Sequence, residues 1–164
     1  MEVKFKGEPL EVKGKQPNLG DKAPDAQLTT RQEEQVQLSS YFGDKTVVLS
    51  VVPDVMTRTC ELQTKRFSEE LAKKDVKYLT ISRNTVDEFN EWNEENDLDL
   101  TTLSDTEGEF GQKYGLNIDL GGNERLTRSV FLVDIDGVIQ YKQIVPEVSD
   151  EPDYDDVLEA IDKL

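Results

Sequence analysis

Three short segments of nearly continuous apolar, mostly β-branched residues constrain the fold most strongly, at 46–52, 78–82 and 129–133. Segments of this kind are typical of strands buried on both faces of a sheet, because a half-exposed strand would alternate apolar and polar residues. Between the first two, at 60–74, apolar residues recur at the spacing that places them on one face of a helix. The order strand, helix, strand predicts a βαβ unit with parallel strands.

The remaining elements are predicted from turn and cap signals. In chain order we expect an N-terminal β-hairpin over 3–12, an irregular connector over 14–25, helices over 85–96, 105–114 and 154–164, and a hairpin joining 130–133 to 138–145. Thr85 precedes Glu88 at the spacing of a capping box, and Asp136-Gly137 favours a tight turn. We therefore predict one domain over residues 1–164. Its fold class is α/β, thioredoxin-like, with a mixed central sheet and helices on both faces.

The composition restricts the function classes. The chain has 35 acidic and 19 basic residues, a net charge of −16, one cysteine and no histidine. Such a surface repels nucleic acids and anionic membranes. Without histidine, His-based triads are excluded, and we expect no metal or cofactor. No internal disulfide can form, and we see neither a signal peptide nor a membrane span, which together indicate the cytoplasm.

The segment VVPDVMTRTC, at 51–60, carries the main chemical signal. Pro53 fixes the backbone where the strand stops, and Cys60 lies near the first turn of the following helix. Free N–H groups and the helix dipole there favour a negatively charged sulfur. The Thr57 hydroxyl can donate to the thiolate or to a bound oxygen. The alternatives are that Cys60 is a small buried hydrophobe and Thr57 an ordinary helix cap.

These residues resemble the active-site segment of bacterial thiol peroxidases, an atypical group of peroxiredoxins. Pro53, Thr57 and Cys60 form the Pro-x-x-x-Thr-x-x-Cys pattern that is general to peroxiredoxins. The flanking sequences SVVP, at 50–53, and QTKRF, at 63–67, are more specific to thiol peroxidases. Similarity continues through LSD at 103–105, FG at 110–111, YG at 114–115, LTRSVF at 126–131 and the N-terminal hairpin, so it covers nearly the whole chain.

The resemblance implies a four-residue site in which Cys60 is the peroxidatic thiol and Pro53, Thr57 and Arg128 are its partners. When a thiolate attacks one peroxide oxygen, the other leaves with developing negative charge. A guanidinium beside both atoms stabilises that charge. From the sequence alone, Arg128 is equally well interpreted as a strand-edge ion pair in a chain with 35 acidic residues.

The sequence departs from the family at the resolving cysteine. The resemblance places that cysteine on the helix beginning near Thr85, where this chain has Asn93 after Trp92. A carboxamide does not attack a sulfenic acid. We therefore expect oxidised Cys60 to be resolved by thioredoxin or another external thiol, or by a second chain. The resemblance also implies a homodimer.

We predict a thiol-dependent peroxidase that reduces hydrogen peroxide and organic hydroperoxides in antioxidant defence. One alternative is a thioredoxin-fold redox sensor or interaction protein, in which Cys60 is oxidised without fast turnover. Another is a structural protein with an inert buried thiol. Steady-state peroxide consumption with an added dithiol separates the enzyme from the sensor, and the reaction rate with a thiol reagent identifies an inert sulfur.

Overall fold

The computed structural model describes residues 1–164. The strands are β1 (Glu2–Phe5), β2 (Glu8–Glu11), β3 (Gln27–Thr29), β4 (Gln35–Gln37), β5 (Thr46–Val51), β6 (Val76–Ser82), β7 (Thr102–Ser104), β8 (Asn117–Leu120), β9 (Asn123–Leu126), β10 (Ser129–Val133) and β11 (Ile139–Ile144). The α-helices are α1 (Arg58–Leu71), α2 (Val86–Glu95), α3 (Glu109–Tyr114) and α4 (Tyr154–Asp162), and Leu38–Tyr41 forms a 3₁₀ turn. None of the helices is long and apolar enough to span a bilayer.

A seven-stranded sheet in the order β11-β10-β5-β6-β7-β3-β4 forms the centre of the molecule. Strand β5 pairs in parallel with β6, and β6 with β7, whereas the other neighbours in the sheet are antiparallel. The predicted mixed sheet and its βαβ unit are therefore confirmed. Two further hairpins, β1-β2 and β8-β9, lie outside this sheet.

Side chains alternate between two cores along β5. Val47, Leu49 and Val51 pack into a cluster that contains the aromatic residues of α3, on one face of the sheet. Val48 packs into a second cluster with α1 and α4, on the other face. Because both faces are covered, the strand is apolar throughout, as its sequence predicts. The expected placement of helices on both faces is confirmed.

The local signals also agree with the structure at the predicted cap and turns. The Thr85 hydroxyl accepts from the Glu88 N–H at 3.1 Å, and the Glu88 carboxylate accepts from the Thr85 N–H at 2.9 Å, which completes the capping box. The hairpin β10-β11 and the N-terminal hairpin form as expected. The segment 14–25 contains no strand or helix, also as expected.

Five strands and one helix start differ from the sequence-based interpretation. Strands β3 and β7 have three residues each, too few for alternation to be recognised, and β4 is polar at both ends. Hairpin β8-β9 turns through Gly121-Gly122, where φ is +60° and +88°, values that glycine adopts without strain. Helix α3 begins at Glu109, four residues later than predicted, because Gly108 has a left-handed φ of +79°.

The buried Asp105 side chain precedes α3 and holds its first turn. Its two carboxylate oxygens accept from the backbone N–H groups of Phe110 at 3.0 Å and Gly111 at 2.9 Å. Burial raises the pKa of Asp105 from 3.8 to about 6, against the opposing effect of these two hydrogen bonds. The protonated carboxyl is thus favoured in the folded state relative to the unfolded chain.

We predict that Asp105→Asn removes part of the pH dependence of stability. The folded-state pKa of Asp105 is raised, so the protonated side chain stabilises the fold relative to the unfolded chain. This stabilisation is fully present below the unfolded pKa of 3.8 and is lost as pH rises through about 6. Urea unfolding across this range measures the difference in free energy of unfolding between wild type and variant. That difference should fall by at most about 3 kcal/mol as pH rises. A constant difference would contradict the role assigned to Asp105.

Candidate active site

The end of β5 and the start of α1 place Cys60 at the centre of the site. The chain leaves the sheet after Val51, turns through 53–57, and enters α1 at Arg58, with Thr57 as the N-cap. The Thr57 N–H donates to the Asp54 carbonyl at 3.0 Å, which closes the turn. Cys60 is the third residue of the helix and is fully buried. Its sulfur therefore lies in the first helical turn, where the dipole favours negative charge.

Arg128, which directly precedes β10, contacts the sulfur. Its Nη2 donates to Cys60 Sγ at 3.3 Å, its Nη1 to Gln63 Oε1 at 2.8 Å, and its Nε to the Val148 carbonyl at 2.9 Å. The residue is only 2% exposed, and no carboxylate pairs with it. A buried charge requires compensation. Among the three groups that the guanidinium bonds, the Cys60 sulfur is the one that can become an anion.

Neutral side chains hold the guanidinium in place. Gln63, one turn after Cys60, accepts from Arg128 and donates through Nε2 to the Ser50 hydroxyl at 2.8 Å. Both Gln63 and Ser50 are fully buried. Both residues lie in the sequence motifs shared with thiol peroxidases, which assigned them no role, and the contact of Arg128 with Val148 was not predicted. A polar residue on the inner face of α1 was the available signal for Gln63.

Thr57 lies in the same pocket, with a different hydrogen bond from the one expected. Its hydroxyl donates to the Asp54 carbonyl at 2.8 Å and makes no bond to Cys60 or to the helix N-terminus. With its proton held there, the oxygen is left as an acceptor towards the pocket. In this arrangement Thr57 can receive a hydrogen bond from a hydroperoxide O–H, whereas the sequence suggested donation.

A cavity of ≈ 390 Å³ opens beside Cys60. The turn at 53–57 forms one wall, with Pro53 and Thr57 in the lining. The N-terminal hairpin contributes Phe5, the β8-β9 hairpin contributes Leu120, and the segment after β11 contributes Val148. The structure therefore brings Pro53, Thr57, Cys60 and Arg128 together around one small space.

The carboxylate of Glu147 connects two of these walls. Glu147 Oε2 accepts from the Ser149 hydroxyl at 2.6 Å, the Ser149 N–H at 2.9 Å and the Lys6 N–H at 3.1 Å, and Oε1 accepts from the Gly7 N–H at 2.8 Å. The hydrogen bonds, above all that from the Ser149 hydroxyl, lower the pKa of Glu147 to about 2. The N-terminal hairpin is thereby held against the segment that carries Val148.

Comparison with known proteins identifies the family. The redoxin family model matches residues 18–158. A thiol peroxidase of Staphylococcus aureus is 39% identical over 161 residues, which cover 97% of this chain and 96% of the relative. The chain belongs to the thiol peroxidases of the redoxin family. A second thiol peroxidase, from Oceanobacillus iheyensis, is 39% identical and covers 98% of each chain.

Solved structures agree on the fold. A peroxiredoxin-like protein from Aquifex aeolicus superposes with a TM-score of 0.89 at 30% identity, covering 99% of this chain and 96% of that one. A thiol peroxidase from Chromobacterium violaceum superposes with a TM-score of 0.91 and the same coverage; at 20% identity it supports the fold alone. The predicted thioredoxin-like α/β class is confirmed.

Asn93, at the position expected for a resolving cysteine, is a buried structural residue. Its Nδ2 donates to the Phe89 carbonyl at 2.9 Å, and its Oδ1 accepts from the Leu100 N–H at 3.0 Å. These bonds fasten the loop after α2 to the helix. Cys60 is the only cysteine and is free, so no thiol in this chain can resolve it.

We predict that Asn93→Ala destabilises the fold without slowing peroxide attack. Losing the amide leaves the Leu100 N–H without its partner, which costs about 1–3 kcal/mol in free energy of unfolding. Urea unfolding measures the loss, and stopped-flow oxidation of Cys60 in the folded variant measures the chemistry. Asn96→Ala is the control, since that side chain bonds only its own helix, to the Trp92 carbonyl. Slower oxidation in folded Asn93→Ala would show that the residue acts in the reaction.

Proposed function

We propose that this thiol peroxidase reduces hydrogen peroxide and organic hydroperoxides through the Cys60 thiolate, with Arg128, Thr57 and Pro53 completing the site. The observation that carries the proposal is the 3.3 Å contact between Arg128 Nη2 and Cys60 Sγ, in a site where the guanidinium is buried without a carboxylate. An inert buried thiol would not need a cation beside it. The same contact argues against a strand-edge ion pair for Arg128.

The proposed reaction transfers one oxygen atom to the Cys60 sulfur. The thiolate attacks the terminal oxygen of the hydroperoxide, the O–O bond breaks, and the sulfur takes up that oxygen as a sulfenic acid. The other oxygen leaves as an alkoxide or hydroxide and gains a proton to form an alcohol or water. Arg128 stabilises the charge as it passes from sulfur to the leaving oxygen. Its bonds to Gln63 and Val148 hold it in place before the reaction.

Thr57 and Pro53 shape the peroxide position. The Thr57 oxygen can accept from the hydroperoxide O–H, since its own proton is donated to the backbone carbonyl of Asp54. This contact would orient the terminal oxygen towards Cys60. Pro53 has no N–H group, so the wall it forms offers no competing donor to the peroxide or the thiolate.

Recycling requires a thiol from outside the chain. Thioredoxin or a small thiol is favoured over a disulfide between two copies, because Cys60 is fully buried in its own pocket. A disulfide needs the two Cα atoms to approach within roughly 4.4–6.8 Å. We further propose that the protein is a cytoplasmic homodimer that acts in antioxidant defence.

We predict that Cys60→Ser abolishes peroxide reduction and leaves the fold intact, because serine is nearly isosteric and far less nucleophilic. Peroxide consumption is followed over many turnovers with an added dithiol, and circular dichroism checks the fold. Wild type should turn over repeatedly. A single oxidation without turnover would favour the redox sensor, and activity in the variant close to that of wild type would disprove the assignment of Cys60.

We predict that Arg128→Met slows oxidation of Cys60 by about 10²-fold or more, the scale for removing one preorganised electrostatic partner. Stopped-flow oxidation by hydrogen peroxide measures the rate. Because the variant also loses buried hydrogen bonds, Arg128→Lys, which keeps the charge, should retain more of the rate. Lys163→Met, an exposed change at the end of α4, controls for net charge. An unchanged rate in folded Arg128→Met would contradict the role.

A further inference from the structure

The pocket beside Cys60 is cationic in a chain that is otherwise acidic. Although the chain has 35 acidic and 19 basic residues, four of the 14 residues lining the pocket are basic and one, Asp54, is acidic. The basic residues are Lys6, Arg58, Arg125 and Arg128. Hydrogen peroxide is uncharged, so its reduction explains Arg128 and none of the others. A pocket whose lining has four basic residues and one acidic residue favours small anions.

Arg125, on β9, has unused hydrogen-bond donors. Its closest carboxylate oxygen is Asp54 Oδ2 at 4.0 Å, which is beyond hydrogen-bond distance. The other oxygen of Asp54 accepts from the Met56 N–H and the Asn84 amide. The Arg125 side chain is 24% exposed, and its guanidinium makes no hydrogen bond within the protein. A planar guanidinium with free donors matches the geometry of a carboxylate.

Two neighbouring basic side chains, Lys6 and Arg58, differ in how available they are to bind an anion in the pocket. Lys6 has no carboxylate partner, and its Nζ lies 5.4 Å from the centre of the Phe5 ring. Arg58 is paired with Glu61 at 3.3 Å and points mostly into solvent. Phe5 and Leu120 add apolar surface to the lining. The lining therefore suits a small organic molecule that carries an acid group.

The buried sulfur limits which reductant can reach it. Cys60 is fully buried, and the pocket beside it is the space from which a reductant can approach. A cavity of ≈ 390 Å³ has the size of a small-molecule site. Since Cys60 is the only cysteine, the thiol that reduces it comes from outside the chain, and a small thiol fits this space.

We propose that the pocket binds a small thiol bearing a carboxylate, which Arg125 holds with help from Lys6 while its sulfur reduces Cys60. The proposal rests on the peroxidase function above. The thiol attacks the sulfur of the sulfenic acid, an S–S bond forms, and the S–O bond breaks with release of water. A second thiol attacks the mixed disulfide, which releases the small disulfide and restores the Cys60 thiol. Two thiols are oxidised for each hydroperoxide reduced.

The test measures each half of the cycle separately in the full-length protein. Cys60 is oxidised with one equivalent of hydrogen peroxide, intact mass confirms the gain of one oxygen, and stopped-flow then follows reduction by mercaptopropionate or by uncharged mercaptoethanol. The ratio of wild-type to variant rate for each thiol cancels its intrinsic reactivity. We expect Arg125→Gln to slow the reduction of Cys60 by mercaptopropionate about 10-fold, the scale of a charge-assisted hydrogen bond. The same change should slow reduction by mercaptoethanol less than about twofold.

Arg66→Gln is the charge-matched control, because Arg66 lies outside the pocket and pairs with Glu70 on α1. It should change neither rate. If Arg125→Gln slows reduction by both thiols equally, the proposal is overturned. Reduction of wild-type Cys60 by thioredoxin, but by neither small thiol, would also overturn it.

A carboxylate-bearing hydroperoxide presents the same acid group, so oxidation by tert-butyl hydroperoxide and by its carboxylate analogue is compared in the same variants. If Arg125→Gln slows oxidation by the carboxylate analogue but does not slow reduction by mercaptopropionate, the bound anion is the peroxide and the thiol assignment is overturned. Failure of wild-type Cys60 to oxidise at all would instead contradict the proposed function.

Discussion

The contact between the Arg128 guanidinium and the Cys60 sulfur is the interaction on which the site depends. A buried guanidinium without a carboxylate is unfavourable unless another group carries the opposing charge. Here every other partner is neutral, namely the Gln63 amide and the Val148 carbonyl. The Cys60 sulfur is therefore the one contact of this guanidinium that can carry an opposing charge, and it lies in the first turn of α1.

The sheet explains why these groups meet. Strands β5 and β10 are antiparallel neighbours, with Ser129 opposite Val51. Arg128, which precedes β10, and the turn after β5 therefore lie at the same end of these two strands. Two hairpins outside the sheet then enclose the sulfur. The sulfur faces a small cavity whose charge is opposite to that of the chain as a whole.

The sequence was sufficient for the parts of the fold that have strong periodicity. Buried strands such as β5, the Thr85 cap and the Asp-Gly hairpin could all be predicted, whereas β3 and β7 could not, because three residues hold too little pattern. At the site, Cys60 could be predicted from its place after a strand. The partners of Arg128 could not, since β10 and α1 meet only in the folded chain. The direction of the Thr57 hydrogen bond likewise depends on the turn geometry.

Glu147 gives one wall of the pocket a tolerance to acid. A glutamate with the ordinary pKa of 4.5 loses most of its charge in mild acid. Glu147, with a pKa of about 2, remains charged. Its contribution to stability is present above its ordinary pKa of 4.5 and is lost only as pH falls through about 2. During acidification, the hydrogen bonds that attach the N-terminal hairpin beside the sulfur should therefore persist well below pH 4.5.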